Sequence, residues 1–340
     1  MNIALTGGGT GGHLAIIKAM REELGLRGLK PIYIGSKHGQ DRDWFEQDTG
    51  FLSSYFLNTK GVVNKKGFKK IAVLVDIFKA VLTCKQIFKL HKIDAVFCVG
   101  GYSGAAASIA SILLRKPLYI HEQNATIGTL NKLLKPFAKE FFSSYDPRSK
   151  VQDYPVSELF FQHKRVRKEL QTIIFLGGSQ GANFINELAM YNAKNLLDKG
   201  VQIIHQTGKG DFERVSQFYS KQGLHVECFA FSKEIIKSIQ KADLAISRAG
   251  ASTLWELCAN ALPALFIPYP YAANDHQYSN AKSLSNLSLA TILRQEELSK
   301  KDFMSVIYQI PLEKISQKLL LSIGRNGMKK IVDIILKDDK

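Results

Sequence analysis

Three groups of residues have the types and spacing to do chemistry. The first is Gly7-Gly8-Gly9-Thr10-Gly11-Gly12-His13, a glycine turn ending on an imidazole. Such a turn at a helix N-terminus offers backbone N–H groups and a positive dipole end to an anion, typically phosphate. Histidine there, its pKa lowered by the helix end, suits a general base near neutral pH. The second group runs from Ser247 to Glu256, Ser-Arg-Ala-Gly-Ala-Ser-Thr-Leu-Trp-Glu. A strand ending at Ser247 would feed a small-residue turn into a helix, with Glu256 about one turn inside it, where a carboxylate can accept from the 2′ and 3′ hydroxyls of a ribose. The third is Asn274, Gln277 and Asn280, amides of the kind that hold sugar hydroxyls. The residues alone leave alternatives open: His13 as a cap of its turn, Thr253 and Glu256 as capping residues, and the amides as solvated loop positions.

A second glycine turn, Gly177-Gly178-Ser179-Gln180-Gly181, follows another β-rich run, so the phosphate-holding device occurs twice. Taken literally the first turn satisfies GxGxxG, but a dinucleotide site needs an acid at the end of the second strand. That strand ends Ile34-Gly35-Ser36-Lys37, without one. Neither is the turn a P-loop, since His13 stands where lysine and Ser/Thr would serve phosphate and magnesium.

The elements that must position these groups alternate. Strands are predicted near Ile3 to Thr6, Pro31 to Gly35, Ala95 to Gly100, Pro117 to His121 and Glu140 to Ser143, with helical patterns from His13, Gly67, Gly104 and Ile127 between them. The second half repeats the alternation near Thr172 to Leu176, Val201 to Gln206, His225 to Phe229, Leu244 to Ser247, Ala264 to Pro268 and Leu289 to Leu293. The fold class is therefore α/β, two doubly wound Rossmann-like domains facing across a cleft. The polar, proline-bearing stretch from Asp146 to Lys164 marks the boundary, giving a first domain over residues 1–157 and a second over 158–325, with an amphipathic helix over 326–340 packing back on the first.

Composition narrows the class. The chain has 340 residues and a formal net charge of +16, enough to attract nucleic acid, an anionic membrane or a polyanionic small substrate. Zinc-finger, recognition-helix and aromatic-interleaved basic signatures are absent, which argues against nucleic acid. Cys84, Cys98, Cys228 and Cys258 lie far apart without ligand spacing, so neither zinc nor a disulfide framework is signalled and a reducing cytoplasm fits. Met1 leads straight into a strand, leaving no room for a secretion signal, and the longest apolar stretch, Ile71 to Leu82, is broken by Asp76 and Lys79. Within Val63 to Lys92, read as a helix, Phe68, Ile71, Val75, Phe78 and Leu82 form one stripe and Leu74, Ile77, Val81 and Phe88 another, with Lys65, Lys66, Lys69 and Lys70 at its start. That arc is wider than one domain face needs. It is expected to dip into an anionic inner leaflet, the other reading being an ordinary buried helix with solvated lysines.

Gly8 to His13 (GGTGGH), Gly100 to Tyr102 (GGY), His121 to Asn124 (HEQN), Gly177 to Ala182 (GGSQGA), Ser247 to Glu256, Leu262 to Pro270 (LPALFIPYP) and Asp275 to Ala281 (DHQYSNA) occur in an order and spacing that resemble the MurG family of glycosyltransferases. The resemblance covers nearly the whole chain; HEQN and GGSQGA together are specific, whereas each glycine run alone is weak. It implies a GT-B fold and inverting transfer of N-acetylglucosamine from UDP-N-acetylglucosamine to the muramyl 4-hydroxyl of undecaprenyl-linked lipid I, at the cytoplasmic face of the bacterial inner membrane. By resemblance His13 is the base. Thr10, Gly11 and Gly12 approach the sugar and phosphates, Tyr102 lies in the GGY loop, and Asn124 contacts the sugar. Ser179 holds phosphate, Ala251, Ser252, Thr253, Leu254, Trp255 and Glu256 hold phosphate and ribose, Gln277 meets the sugar with His276 and Asn280 as further substrate-binding positions, and the backbone near Ser232 meets uracil. No metal or cofactor is expected, because helix N-termini can stabilise the departing diphosphate.

The sequence departs from the family pattern at Tyr154-Pro155-Val156-Ser157, where the family carries an arginine that reaches the donor; Arg148, Lys164 or Arg165 would have to replace it. Ser103-Gly104-Ala105 lacks the usual proline, and Phe229-Ala230-Phe231-Ser232 replaces a FIDDM-like segment. The competing readings are another GT-B sugar-nucleotide enzyme, such as a lipid glucosyltransferase or UDP-sugar epimerase, and a non-catalytic UDP-sugar-binding regulator.

Overall fold

Short apolar runs that end on glycine are buried on both faces, as a parallel sheet covered by helices demands. In the structure, a computed structural model that describes residues 1–61, 68–178, 181–232 and 234–337, with the side chains of 68–72 and 74 outside that description, these runs build two six-stranded parallel sheets. The chain divides into one unit of Met1–Pro155 with Asn326–Lys340 and another of Val156–Arg325.

In the first unit the strands are β1 (Ile3–Thr6), β2 (Ile32–Ser36), β3 (Ser53–Leu57), β4 (Ala95–Cys98), β5 (Leu118–Glu122) and β6 (Glu140–Ser143), in the order β3-β2-β1-β4-β5-β6. Its helices are α1 (Gly11–Leu26), α2 (Asp41–Phe45), α3 (Phe68–Leu90), α4 (Ala105–Leu113) and α5 (Thr129–Leu134). The second unit opens with the short α6 (Glu158–Phe161) and continues through β7 (Thr172–Leu176), α7 (Asn183–Asp198), β8 (Gln202–Gln206), α8 (Phe212–Lys221), β9 (Glu227–Phe229), α9 (Ile235–Lys241), β10 (Leu244–Ser247), α10 (Ala251–Ala259), β11 (Ala264–Phe266), α11 (His276–Asn286) and β12 (Thr291–Ile292). Helices α12 (Gln295–Leu298), α13 (Phe303–Tyr308) and α14 (Leu312–Ser322) complete it, and its sheet order is β12-β11-β10-β7-β8-β9. Both orders are the same doubly wound pattern.

β3 and α2 were not expected from the sequence. β3 is an edge strand, Ser-Ser-Tyr-Phe-Leu, in which every residue is half-buried, so it lacks the continuous apolar run of the inner strands. α15 (Met328–Lys337) buries Met328, Ile331, Val332 and Ile335 and packs against α1 within the first unit. An Arg27–Asp333 pair at 2.6 Å and the Gly327 N–H donating to Tyr154 O at 3.2 Å fix it there. In such sheets ligands bind outside the carboxyl ends of the strands where the order reverses. That point falls between β1 and β4 in the first unit and between β7 and β10 in the second, beneath the motifs singled out above.

Candidate functional site

In the first unit the turn after β1 meets the turn after β4. Gly8 N–H donates to Gly100 O at 3.2 Å, and the Tyr102 ring covers Gly9 while its hydroxyl donates to His38 O at 2.9 Å. Thr10 is the N-cap of α1 and makes no side-chain cap bond; Gly11 and Gly12 form the helix start. Its hydroxyl instead lies 2.7 Å from Nδ1 of the half-buried His13 ring. His121, at the end of β5, is buried and feels the charge of His13; burial first, then His13, pushes it down to about 3, so it stays neutral. Its ring meets Tyr154 edge-on with centroids 5.7 Å apart.

Glu122 organises the loop carrying Asn124. Its buried carboxylate accepts from the Asn124 N–H at 2.9 Å and the Asn124 amide at 3.4 Å on one oxygen, and from the Gly128 N–H and the Asn131 amide, both at 2.9 Å, on the other. Asn124 thereby stands on a loop fixed from beneath. A second buried carboxylate, Asp41, plays the same part under the glycine turn. Sequence reasoning missed both roles, since an acid inside a motif or five residues past a strand end gives no direct sign of what it holds.

In the second unit the turns after β7 and β10 adjoin. Gly177 N–H donates to Gln206 O at 3.0 Å. Ser179 lies outside the described residues. α10 begins at Ala251 with Gly250 as an N-cap that has no side chain to offer, and neither Thr253 nor Glu256 caps the helix. Its first-turn N–H groups are those of Ala251 through Thr253, the kind of helix end that can receive an anion. Leu254 points inward, fully buried, with its N–H spent on Gly250 O at 2.9 Å, and Trp255 is buried beside it, so both pack the turn from behind. Glu256 is half-buried on α10, and burial pushes its carboxyl up to about 7; no described residue hydrogen-bonds it.

Arg248 lies in the same turn. It donates to Ile267 O at 3.0 Å and Pro268 O at 3.1 Å between the rings of Phe184 and Tyr269, and burial lowers it to about 10, still a cation at neutral pH. Gln277 Oε1 accepts from Tyr269 N–H at 2.9 Å, leaving its NH2 group to other partners. His276 Nδ1 donates to Ala273 O at 2.8 Å. Asn280 departs from its expected place: it is fully buried, with its amide donated to Ala249 O at 3.3 Å, so it ties α11 to the turn before α10. Ser232 follows β9, two strands from β7, and its hydroxyl accepts from Glu234 N–H at 3.0 Å.

Ser157, where the family arginine would stand, is the N-cap of α6 and accepts from Leu159 N–H at 3.4 Å. Of the proposed substitutes, Arg148 is forked onto Asp146, Lys164 lies over the Phe161 ring, and Arg165 binds Gln240, Lys241 and Ala242 carbonyls and Asp243. All three are engaged in local structure. Among the described residues no cluster of three His, Cys, Asp or Glu side chains is placed to hold a metal ion, and no helix is long and apolar enough to cross a membrane.

On α3 the two apolar stripes part company. Val81 and Phe88 are buried and Ile77 packs against the core, whereas Val75, Phe78 and Leu82 are 46%, 63% and 45% exposed beside exposed Lys79, Lys85 and Lys89. Residues 62–67, with Lys65 and Lys66, lie outside the described residues, as do the side chains of Phe68, Lys69, Lys70, Ile71 and Leu74.

Residues 3–143 match the glycosyltransferase family 28 N-terminal domain and residues 172–333 its C-terminal domain. A protein of Wolinella succinogenes named UDP-N-acetylglucosamine--N-acetylmuramyl-(pentapeptide) pyrophosphoryl-undecaprenol N-acetylglucosamine transferase is 51% identical over 339 residues, covering 99% of this chain and all of that one. A protein of the same name from Campylobacter fetus is 52% identical over 335 residues, 98% of this chain and 99% of that one. Among solved structures, Acinetobacter baumannii MurG superposes with a TM-score of 0.77 at 28% identity, covering 99% of each chain. A Listeria monocytogenes protein described as a UDP-N-acetylglucosamine 2-epimerase reaches 0.65 at 12% identity, over 99% of this chain and 96% of that one, a likeness of fold alone.

Proposed function

The chain belongs to glycosyltransferase family 28, and on that premise we propose that it is the hexosyltransferase of peptidoglycan synthesis that converts lipid I to lipid II, moving N-acetylglucosamine from UDP-N-acetylglucosamine to the muramyl 4-hydroxyl. The observation that carries this reading is identity of about half the residues along the entire length of transferases bearing that name.

The residues divide the work by unit. In the second, the α10 N-terminus receives the diphosphate, Arg248 adds fixed positive charge to the turn, Glu256 accepts from the ribose hydroxyls, and the Gln277 amide meets the sugar. In the first, Asn124 contacts the sugar and His13 Nε2 takes the proton from the acceptor hydroxyl. The oxygen so freed forms its bond to the anomeric carbon as the bond from that carbon to the UDP oxygen breaks, and UDP leaves with the electron pair, inverting the centre. N–H dipoles at the helix end stabilise that charge without needing to reorganise. The Val75, Phe78 and Leu82 stripe with its lysines holds the enzyme as a peripheral protein on the anionic cytoplasmic leaflet, where its acceptor resides.

Turnover tests the reading. UDP release should require both UDP-N-acetylglucosamine and a lipid I analogue, with labelled sugar appearing in the disaccharide product. Transfer to diacylglycerol instead, epimerisation of the free donor, or donor binding without turnover would each replace it.

A further inference from the structure

We infer that Asp41 is a positioning residue for the catalytic turn: its carboxylate holds Gly9 and, through it, sets Thr10 against His13. This rests on the transferase reading of His13 above.

Asp41 is fully buried at the start of α2, and among the described residues no cation lies within ion-pair distance of it. It is held by donors alone. One oxygen accepts from Gly9 N–H at 2.7 Å, and the other from Ser36 N–H at 2.9 Å and the Tyr33 hydroxyl at 3.0 Å. The same hydroxyl lies 3.1 Å from Gly7 O, so Tyr33 bridges the carboxylate and the turn. Burial, then the Asp41 charge, hold that phenol well above its ordinary pKa and therefore protonated. Backbone and carboxylate approach so closely that a Cβ on Gly8, whose φ is +159°, would lie 2.7 Å from Asp41 Oδ1.

A carboxylate buried without a cation is costly unless donors compensate it, and a fold that needed only packing here would use an apolar side chain. What this arrangement supplies is direction. With Gly7 and Gly9 tied to one rigid group, the next residue, Thr10, stands at the N-cap position of α1 and its hydroxyl lies 2.7 Å from His13 Nδ1. A general base must lie within hydrogen-bond reach of its proton, and a misplacement of about 1 Å can cost on the order of 100-fold in rate.

The test uses the full chain, UDP-N-acetylglucosamine and a lipid I analogue. Asp41→Asn keeps the shape but turns one oxygen into an NH2 group that must face a donor, either Gly9 N–H or the Ser36 and Tyr33 pair. We expect kcat to fall on the order of 10- to 100-fold, the UDP dissociation constant to stay within about threefold because the donor is held by the second unit, and the Gly9 amide to exchange faster with deuterium. A folded Asp41→Asn protein with kcat near that of the parent overturns the inference, as does loss of kcat and UDP affinity in equal measure. Should Asp41→Asn fail to fold, Tyr33→Phe decides: reduced kcat with UDP affinity kept supports the inference, and unchanged kcat overturns it. Failure of the parent chain itself to turn over would instead count against the transferase reading.

Discussion

Thr10 Oγ1 lies 2.7 Å from Nδ1 of His13, three residues along and one turn into α1. A base that accepts through Nε2 must carry its proton on Nδ1, and the threonine oxygen is the acceptor that favours that tautomer. His13→Ala should lower kcat by roughly 10²- to 10⁴-fold, the usual share of a general base, while largely sparing UDP affinity. Thr10→Val should cost less, about fivefold, equivalent to one hydrogen bond of about 1 kcal/mol. Single-turnover rates check both, and a His13→Ala enzyme with near-normal kcat would remove the assignment.

Gly101 shows how little room the turn after β4 leaves. Its φ is +73°, and a Cβ would lie 2.3 Å from Gly8 O, an atom of the catalytic turn. Gly101→Ala should therefore destabilise the first unit by about 1–3 kcal/mol. A lowered urea midpoint, reported by Trp44 of that unit, is the expected result; no shift would mean that the two turns can move apart freely.

Much of this was legible in the sequence because parallel strands buried on both faces read as apolar runs and the glycines after β1, β4 and β7 punctuate them. The edge strand β3 escaped notice because its half-exposed serines break the run. At the site, Thr10, His13 and Gln277 lie at helix starts and Glu256 in mid-α10. Asn280 did not behave as its motif implied: an amide that could hold a sugar is indistinguishable in sequence from one that holds Ala249 O. Asp41 was equally hidden. The acid sought at the end of β2 for a ribose stands five residues further on and is already filled by Gly9, Ser36 and Tyr33, which strengthens the case against a dinucleotide.

Phe78 is 63% exposed on α3, between Val75 and Leu82 and next to Lys79. Burying a phenylalanine in a bilayer interface gives about 1.5–3 kcal/mol, so Phe78→Asp should weaken partitioning onto anionic vesicles by roughly 10- to 100-fold. Sedimentation with phosphatidylglycerol vesicles reads this directly. Equal partitioning of parent and variant would return the stripe to the status of an ordinary exposed helix face.

Glu256 makes the sharpest pH prediction. Burial raises its carboxyl from about 4.5 to about 7, so at pH 6 the folded protein holds a proton there that the unfolded chain has mostly lost. Because the native state binds the extra proton between those two values, this group's contribution to stability declines as pH rises from about 4.5 to 7, and Glu256→Gln should gain thermal stability over the parent on going from pH 5 to pH 8. Ligand binding has the opposite sign. Two ribose hydroxyls donate more strongly to a carboxylate, which offers two charged acceptor oxygens, than to its protonated form, which keeps one good acceptor and adds a donor, so affinity for UDP-N-acetylglucosamine, whose diphosphate diester keeps its charge over this range, should tighten as pH rises toward and through 7, by up to about tenfold per unit below it. Binding near pH 7 should release a fraction of a proton, measurable by calorimetry in buffers of different ionisation enthalpy. In Glu256→Gln both the pH dependence and the proton release should vanish. An affinity that stays flat from pH 5.5 to 8.5 in the parent would show that ribose is held by some group other than this carboxylate.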